Sequence, residues 1–210
     1  MKKRYLTIFS AVLLMMGLAP LFAGSQGQYP AYSGNKRIAI IMLAWQDKAC
    51  PDTRQNVVNK IWNNSQSLRK YYLDMSRNMM DFALPADAAP DGTVPVTTSS
   101  VYGPYTLTIA EGFDKDITYA NVESYYGTGG PYLENVFPVA RDLAAARDGF
   151  KASNYDYIMY VTPKGPSTGS VGGYAGVDDT YSHLYVMRQN YINHELGHNL
   201  GLGHSNTVVG

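Results

Sequence analysis

The chain has 210 residues, the size of one domain with room for a real core. Its 17 lysines and arginines balance 17 aspartates and glutamates, which leaves no global field to gather nucleic acid or anionic lipid, so neither is expected as a partner. The single cysteine excludes a disulfide within the chain, and 18 tyrosines among sparse charge suit a secreted, sheet-containing protein with a polar surface.

At the N-terminus Lys2, Lys3 and Arg4 precede an apolar run from Tyr5 to Phe22, and small residues follow at Ala23, Gly24 and Ser25. This is the pattern of a signal peptide over 1–23. The apolar stretch approaches membrane-spanning length, but Pro20 and the small residues favour cleavage after Ala23. The expected product is secreted or periplasmic, with no stable membrane association after cleavage. Residues 24–36, rich in Gly, Ser, Gln and Pro, read as a flexible lead-in.

From Ile38 to Ala44 the run is continuously apolar, which predicts a strand buried on both faces. Cys50 follows it in a turn and reads as an ordinary loop cysteine. Thr53 is placed to cap a helix over 53–74, whose positions Val57, Val58, Ile61, Trp62, Leu68 and Tyr72 recur at helical spacing. Trp62, Tyr71 and Tyr72 are assigned to packing rather than to a glycan-binding strip. Asn63-Asn64-Ser65 is a formal glycosylation sequon inside that helix.

A short strand is expected over 79–84, strand pieces with turns over 93–109, and a short helix or irregular loop over 114–126, with a breaker at 127–131. Leu133, Val136, Phe137, Ala140, Leu143 and Ala144 give a second helix, 132–148, ended by Gly149. A strand over 155–161 and a Gly-, Ser- and Thr-rich loop over 164–173 come next. Two further strands, 172–177 and 183–187, are joined across Asp178, Asp179 and Thr180. Two adjacent carboxylates fall short of the roughly 6 to 8 oxygens that calcium takes, so Asp178 and Asp179 read as a polar turn. His183 is read as structural or exposed.

The last stretch carries the chemistry: His194-Glu195-Leu196-Gly197-His198-Asn199-Leu200-Gly201-Leu202-Gly203-His204. On a helix, residues four apart are offset by about 40° and about 6 Å, so His194 and His198 share a face. Glu195 lies about 100° further round, at the edge of the same site, where it suits a general base. A continuing helix would carry His204 away, but Gly201 allows the left-handed turn that ends a helix and sends the chain back. Three neutral histidines leave a fourth position on a zinc ion for water. The ion would draw the water's pKa towards about 7, and Glu195 would take its proton as it attacks a carbonyl. A lone histidine pair usually means packing or surface, whereas here three histidines, a glutamate and a glycine stand in one register.

These residues form the pattern HExxHxxGxxH, which resembles the metzincin clan of zinc endopeptidases, and the string HELGHNLGLGHS is most similar to its gametolysin-type family. More loosely, RIAIIMLAWQD resembles the family's first strand, SLRKYYLDMSRNMMDFAL its helix-to-second-strand passage, and VYGPYTLT the stretch beyond. The resemblance implies that His194, His198 and His204 hold one catalytic Zn²⁺ and that Glu195 is the base. It implies an α/β (α+β) metzincin-like N-terminal subdomain over 37–210: a mixed, twisted five-stranded sheet, two long helices and an active-site helix. It further implies that the edge strand pairs with a protein or peptide substrate through the backbone of Gly173, Tyr174 and Ala175. An unpaired edge offers a hydrogen-bonding ladder to any extended peptide.

Metzincins continue past the third histidine to a methionine-containing turn and a C-terminal subdomain, and none of the nine methionines here follows His204. The chain therefore reads as truncated after the zinc motif: a fragment, a natural truncation, or a short enzyme completed by a partner. The expected function is a secreted zinc endopeptidase acting on extracellular or cell-wall proteins. The alternative is a truncated, catalytically inert exported protein that binds zinc or a partner.

Overall fold

The computed structural model describes residues 33–126, 133 and 135–204; the expected signal peptide over 1–23 and the breaker at 127–131 lie outside them. Seven strands follow in chain order: β1 (Gly34–Lys36), β2 (Ile38–Ala44), β3 (Met80–Phe82), β4 (Val101–Thr106), β5 (Tyr157–Val161), β6 (Gly173–Ala175) and β7 (Tyr181–Leu184). Between them lie the helices α1 (Arg54–Val58), α2 (Leu68–Met75), α3 (Phe137–Asp148) and, last, α4 (Gln189–Asn199). No helix among the described residues is long and apolar enough to cross a membrane.

The main sheet is five-stranded and mixed, in the order β4-β2-β5-β7-β6. Its first four strands are mutually parallel, and β6 alone runs antiparallel, against β7, at the edge. Each face is covered. Ile38, Ile40 and Met42 of β2 pack with Met159, Val161 and Leu184 against Val57, Ile61, Tyr72, Ile192 and Leu196. Ala39, Ile41 and Leu43 face the other way, with Ile158 and Tyr160, towards Phe137, Ala140 and Ala144 of α3. A strand with helices on both sides needs an apolar residue at every position, which is why β2 reads IAIIMLA without alternation.

The helix expected over 53–74 is two helices. Thr53 caps the first, its hydroxyl accepting from the Asn56 N–H at 3.3 Å. That helix widens into a π-turn over Asn59–Asn63 and stops at Asn64, whose ψ of 152° is extended. Asn63 is diverted sideways: its amide donates to the Val94 carbonyl and accepts from the Val94 N–H, both at 2.9 Å. Ser67 restarts the helix as a fresh N-cap, accepting from the Lys70 N–H at 3.2 Å. Ser67 bonds locally to backbone, as serines at helix starts do, and the Asn63 amide is taken by Val94, so the helix breaks even where the apolar spacing carries straight through.

Three other expectations change. Part of the lead-in, Gly34–Lys36, is β1, paired in parallel with β3 in a separate two-stranded sheet, so β3 does not extend the main one. Arg69 clamps this small sheet to α2 by donating to both Asp81 carboxylate oxygens, at 2.8 and 2.9 Å. The helix expected over 132–148 is regular only from Phe137; its end at Gly149 is as expected, with φ of 69°. The last two strands are shorter than 172–177 and shifted from 183–187, because the turn between them takes residues 176–180.

Candidate metal centre

The end of α4 shows why Gly201 stands where it does. Its φ is 85°, a left-handed conformation that costs glycine nothing. The Gly201 N–H donates to the His198 carbonyl at 2.8 Å, and the Leu202 N–H donates to the Gly197 carbonyl at 2.9 Å. This pair of bonds is the Schellman termination. It reverses the chain within one turn and returns His204 to the face that carries His194 and His198.

The three Nε2 atoms meet at the corners of a nearly equilateral triangle. They are 3.1 Å apart for His194 and His198, 3.1 Å for His198 and His204, and 3.2 Å for His194 and His204. Nitrogens bound tetrahedrally at the usual metal distance of about 2.0–2.1 Å would be about 3.3 Å from one another, so the spacing fits one small cation. The tautomer fits as well. His198 Nδ1 lies 2.6 Å from the Leu202 carbonyl, an atom able only to accept, so the proton sits on Nδ1 and the Nε2 lone pair faces the centre. Burial, and after it the imidazoles of His198 and His204, hold His194 below the ordinary histidine pKa, which favours the neutral form a metal needs. His194 and His204 are exposed and His198 is buried, so the cluster opens to solvent on one side. These three histidines are close enough to bind a metal ion.

Glu195 is the other buried polar group of the site, only 5% exposed. Burial pushes its carboxyl up to about 7; a cation held by the neighbouring histidines would draw that value down again. What covers Glu195 is the edge strand. A Cβ on Gly173 would stand 2.8 Å from Glu195 Cγ and 2.7 Å from the His183 carbonyl, and one on Gly172 would stand 2.5 Å from the Tyr191 ring. The two glycines let the strand lie directly on α4. Between them opens a cleft of about 410 Å³ whose lining includes Gly172, Gly173, Asn190, Tyr191, His194 and Glu195.

The residues expected in the site thus come together: His194, His198, His204 and Glu195 on α4 and its return, with Gly173, Tyr174 and Ala175 forming β6 alongside. Several groups that brace it gave no signal in the motif. The Tyr72 hydroxyl donates to the Asn193 carbonyl at 2.9 Å, tying α2 to α4. The Asp178 N–H donates to the His198 carbonyl at 3.0 Å, and the Asn199 amide donates to the Tyr181 carbonyl at 2.9 Å, so the β6–β7 turn holds the C-terminal end of α4. His183 is buried, 1% exposed, with Nε2 2.7 Å from the Thr162 hydroxyl. Cys50 is half-buried, its Sγ donating to the Val161 carbonyl at 3.7 Å, and burial pushes the thiol up to about 11.

No protein-family model matches the chain, and comparison with curated proteins and with solved structures finds no match.

Proposed function

We propose that the protein is a zinc endopeptidase of metzincin type, exported from the cytoplasm behind residues 1–23, that cleaves protein or peptide substrates laid along β6. The observation that carries this reading is the convergence of three imidazole nitrogens at 3.1 to 3.2 Å beside a buried glutamate. An all-imidazole set with an open side suits zinc among the common divalent metals.

A zinc ion held by His194, His198 and His204 would supply a Lewis acid for the scissile carbonyl and acidify a water. Glu195 stands one residue from the first histidine, too far round the helix to compete for the metal but able to reach a proton beside it. Its carboxylate takes the proton from the attacking water and later passes it to the departing amine. The cover of β6 keeps bulk water from Glu195, so the proton it holds is kept for the substrate. The outer edge of β6 presents alternating N–H and C=O groups that align an extended backbone without reading its side chains. Gly173 brings that ladder into contact with Glu195, so one strand both binds the substrate and sits on the base.

The test is Glu195→Gln, which preserves shape and removes the base. Hydrolysis of casein should fall by about 10² to 10⁴, while zinc content stays near one per chain. Undiminished hydrolysis by the variant would remove Glu195 from the mechanism. Zinc uptake by the wild-type chain without chelator-sensitive hydrolysis would establish the alternative, an inert zinc-binding protein.

A further inference from the structure

A cavity of about 560 Å³ borders the histidine triangle between α2 and α4. One wall is Tyr71, Tyr72 and Met75 of α2; the other is Asn193 and Gly197 of α4 with Leu202 of the return. His194 and His198 line it too, so whatever fills it stands beside the metal position. Glu195 does not: with Gly172 and Gly173 it lines the cleft under β6. The two hollows share Asn190 and His194, which lie on one face of α4, and so they meet along a single ridge.

The lining contains no aspartate, glutamate, lysine or arginine. The Tyr72 hydroxyl proton is already given to the Asn193 carbonyl at 2.9 Å, and the histidine Nε2 atoms converge on the metal position. What remains is apolar and bare: Met75 is 67% exposed, Leu202 57% and Tyr71 39%. Large apolar side chains gathered at one open hollow mark a binding place for apolar matter. Gly197 points the same way. Glycine is among the least favourable residues inside a helix, and the packing of the chain does not demand it here. Beyond its own helix's backbone, a Cβ at this position would meet Leu202 Cδ1 at 3.5 Å and the Tyr72 hydroxyl at 3.6 Å, both ordinary contacts. The space over Gly172 and Gly173 is taken by Tyr191, His183 and Glu195. The space over Gly197 is the cavity itself, left open to a group from outside the chain.

We infer that the cavity between α2 and α4 receives a bulky apolar side chain of the peptide substrate, an aromatic one foremost, from a residue next to the bond held at the metal. The inference rests on the peptidase reading and adds the class of substrate. A peptide laid along β6 and carried across the ridge of Asn190 and His194 passes from the cleft over the metal position into this hollow. The volume lies within the range of about 300–1,000 Å³ usual for ligand sites. A charged side chain would find no opposite charge there, and a small one would leave the Tyr71, Met75 and Leu202 surfaces in water.

The experiment titrates the full, zinc-loaded chain calorimetrically with three hydroxamic acids that share a metal-chelating head: acetohydroxamic, 3-phenylpropanohydroxamic and succinic monohydroxamic acid. The phenyl probe should bind about tenfold or more tighter than the acetyl one, and the carboxylate probe no tighter than the acetyl one. Gly197→Ala, which raises the cavity floor, and Met75→Lys, which charges its exposed rim, should each lower the phenyl-to-acetyl ratio at least about threefold. The methyl ¹³C signals of Met75 and Leu202 locate the phenyl group, and they should shift with the phenyl probe both with zinc and after chelation. Equal affinity for phenyl and acetyl probes, a ratio unchanged in both variants, or methyl signals that stay put overturns the inference. So does a chain that sediments as a dimer which the phenyl probe does not split, because a second copy then fills the cavity. Casein hydrolysis measured alongside separates the two failures. Phenyl preference without hydrolysis sinks the peptidase reading, and with it the peptide as ligand; hydrolysis without the preference sinks the cavity assignment alone.

Discussion

Replacement of Gly201 by alanine tests whether the helix termination assembles the metal site. At φ of 85° an alanine Cβ crowds the following carbonyl, and an L-residue held in the left-handed region costs roughly 1–2 kcal/mol. That cost has two places to fall. If the turn stays closed, the fold loses it, and a domain of this size loses about 2–4 °C in melting temperature per kcal/mol. If the turn opens, the hydrogen bonds from Gly201 to His198 and from Leu202 to Gly197 are broken, Leu202 no longer orients His198, and His204 leaves the triangle. With zinc limiting, the penalty then appears as a rise in Kd of roughly 5- to 30-fold, the same energy expressed as an equilibrium constant. Competition against a chromophoric chelator reads the second outcome, and thermal unfolding in excess zinc reads the first. Gly201→Asn should fall between glycine and alanine, because asparagine enters the left-handed region more readily. Alanine and asparagine variants that both match the wild type in Kd within twofold and in melting temperature within about 1 °C would exclude the turn from assembling the site.

Gly173→Ala places a methyl 2.7 Å from the His183 carbonyl and 2.8 Å from Glu195 Cγ. It should cost about 1–3 kcal/mol in urea unfolding and lower kcat on casein with zinc content unchanged, whereas Gly203→Ala, with nothing within 4 Å, should leave stability unaltered. His183 is neutral in the fold, its pKa pushed down to about 3 by burial, against about 6.5 unfolded. The unfolded chain therefore binds the extra proton, and stability is lost as pH falls from about 6.5 towards 3, by about 1.4 kcal/mol per unit. Chelator-treated wild-type protein unfolded in urea at pH 7 and pH 5 should show this loss, and His183→Gln should lack that share of it. The Cys50 thiol, raised to about 11, should react with a disulfide reagent at pH 8 at least about 10-fold more slowly than free cysteine, whose pKa is about 8.5, because the smaller thiolate fraction outweighs the greater nucleophilicity; a rate near that of free cysteine would contradict its burial.

The site was the most legible part of the sequence because its ligands are local. Eleven consecutive residues contain both the helix that aligns His194 with His198 and the glycine that turns His204 back, so no distant contact had to be guessed. The apolar run of β2 was equally plain, since a strand covered on both faces leaves no polar position to blur it. What escaped depended on partners far along the chain. The break at Asn64 hides behind apolar spacing from Ile61 to Leu68 to Tyr72 that suits one unbroken helix; its cause is Val94, 31 residues away, which takes the Asn63 amide. β1 hides in a polar lead-in because its pairing with Met80–Phe82 is made through backbone alone. His183 carried no sign of burial, because only the sheet brings Thr162 to it.

The separation between local and distant parts also orders how the molecule becomes competent. The last helix with its return loop owns every imidazole needed to hold an ion, while Tyr72 and the turn into β7 brace its backbone. The acid-base partner differs: its seclusion waits on a strand about twenty residues earlier, which must first dock antiparallel on a neighbour that is itself added to a parallel stack. On the proposed reading, a chain with that edge strand peeled away would still be charged with its ion yet harmless to its surroundings, because the strand packs on Glu195 and not on the three imidazoles.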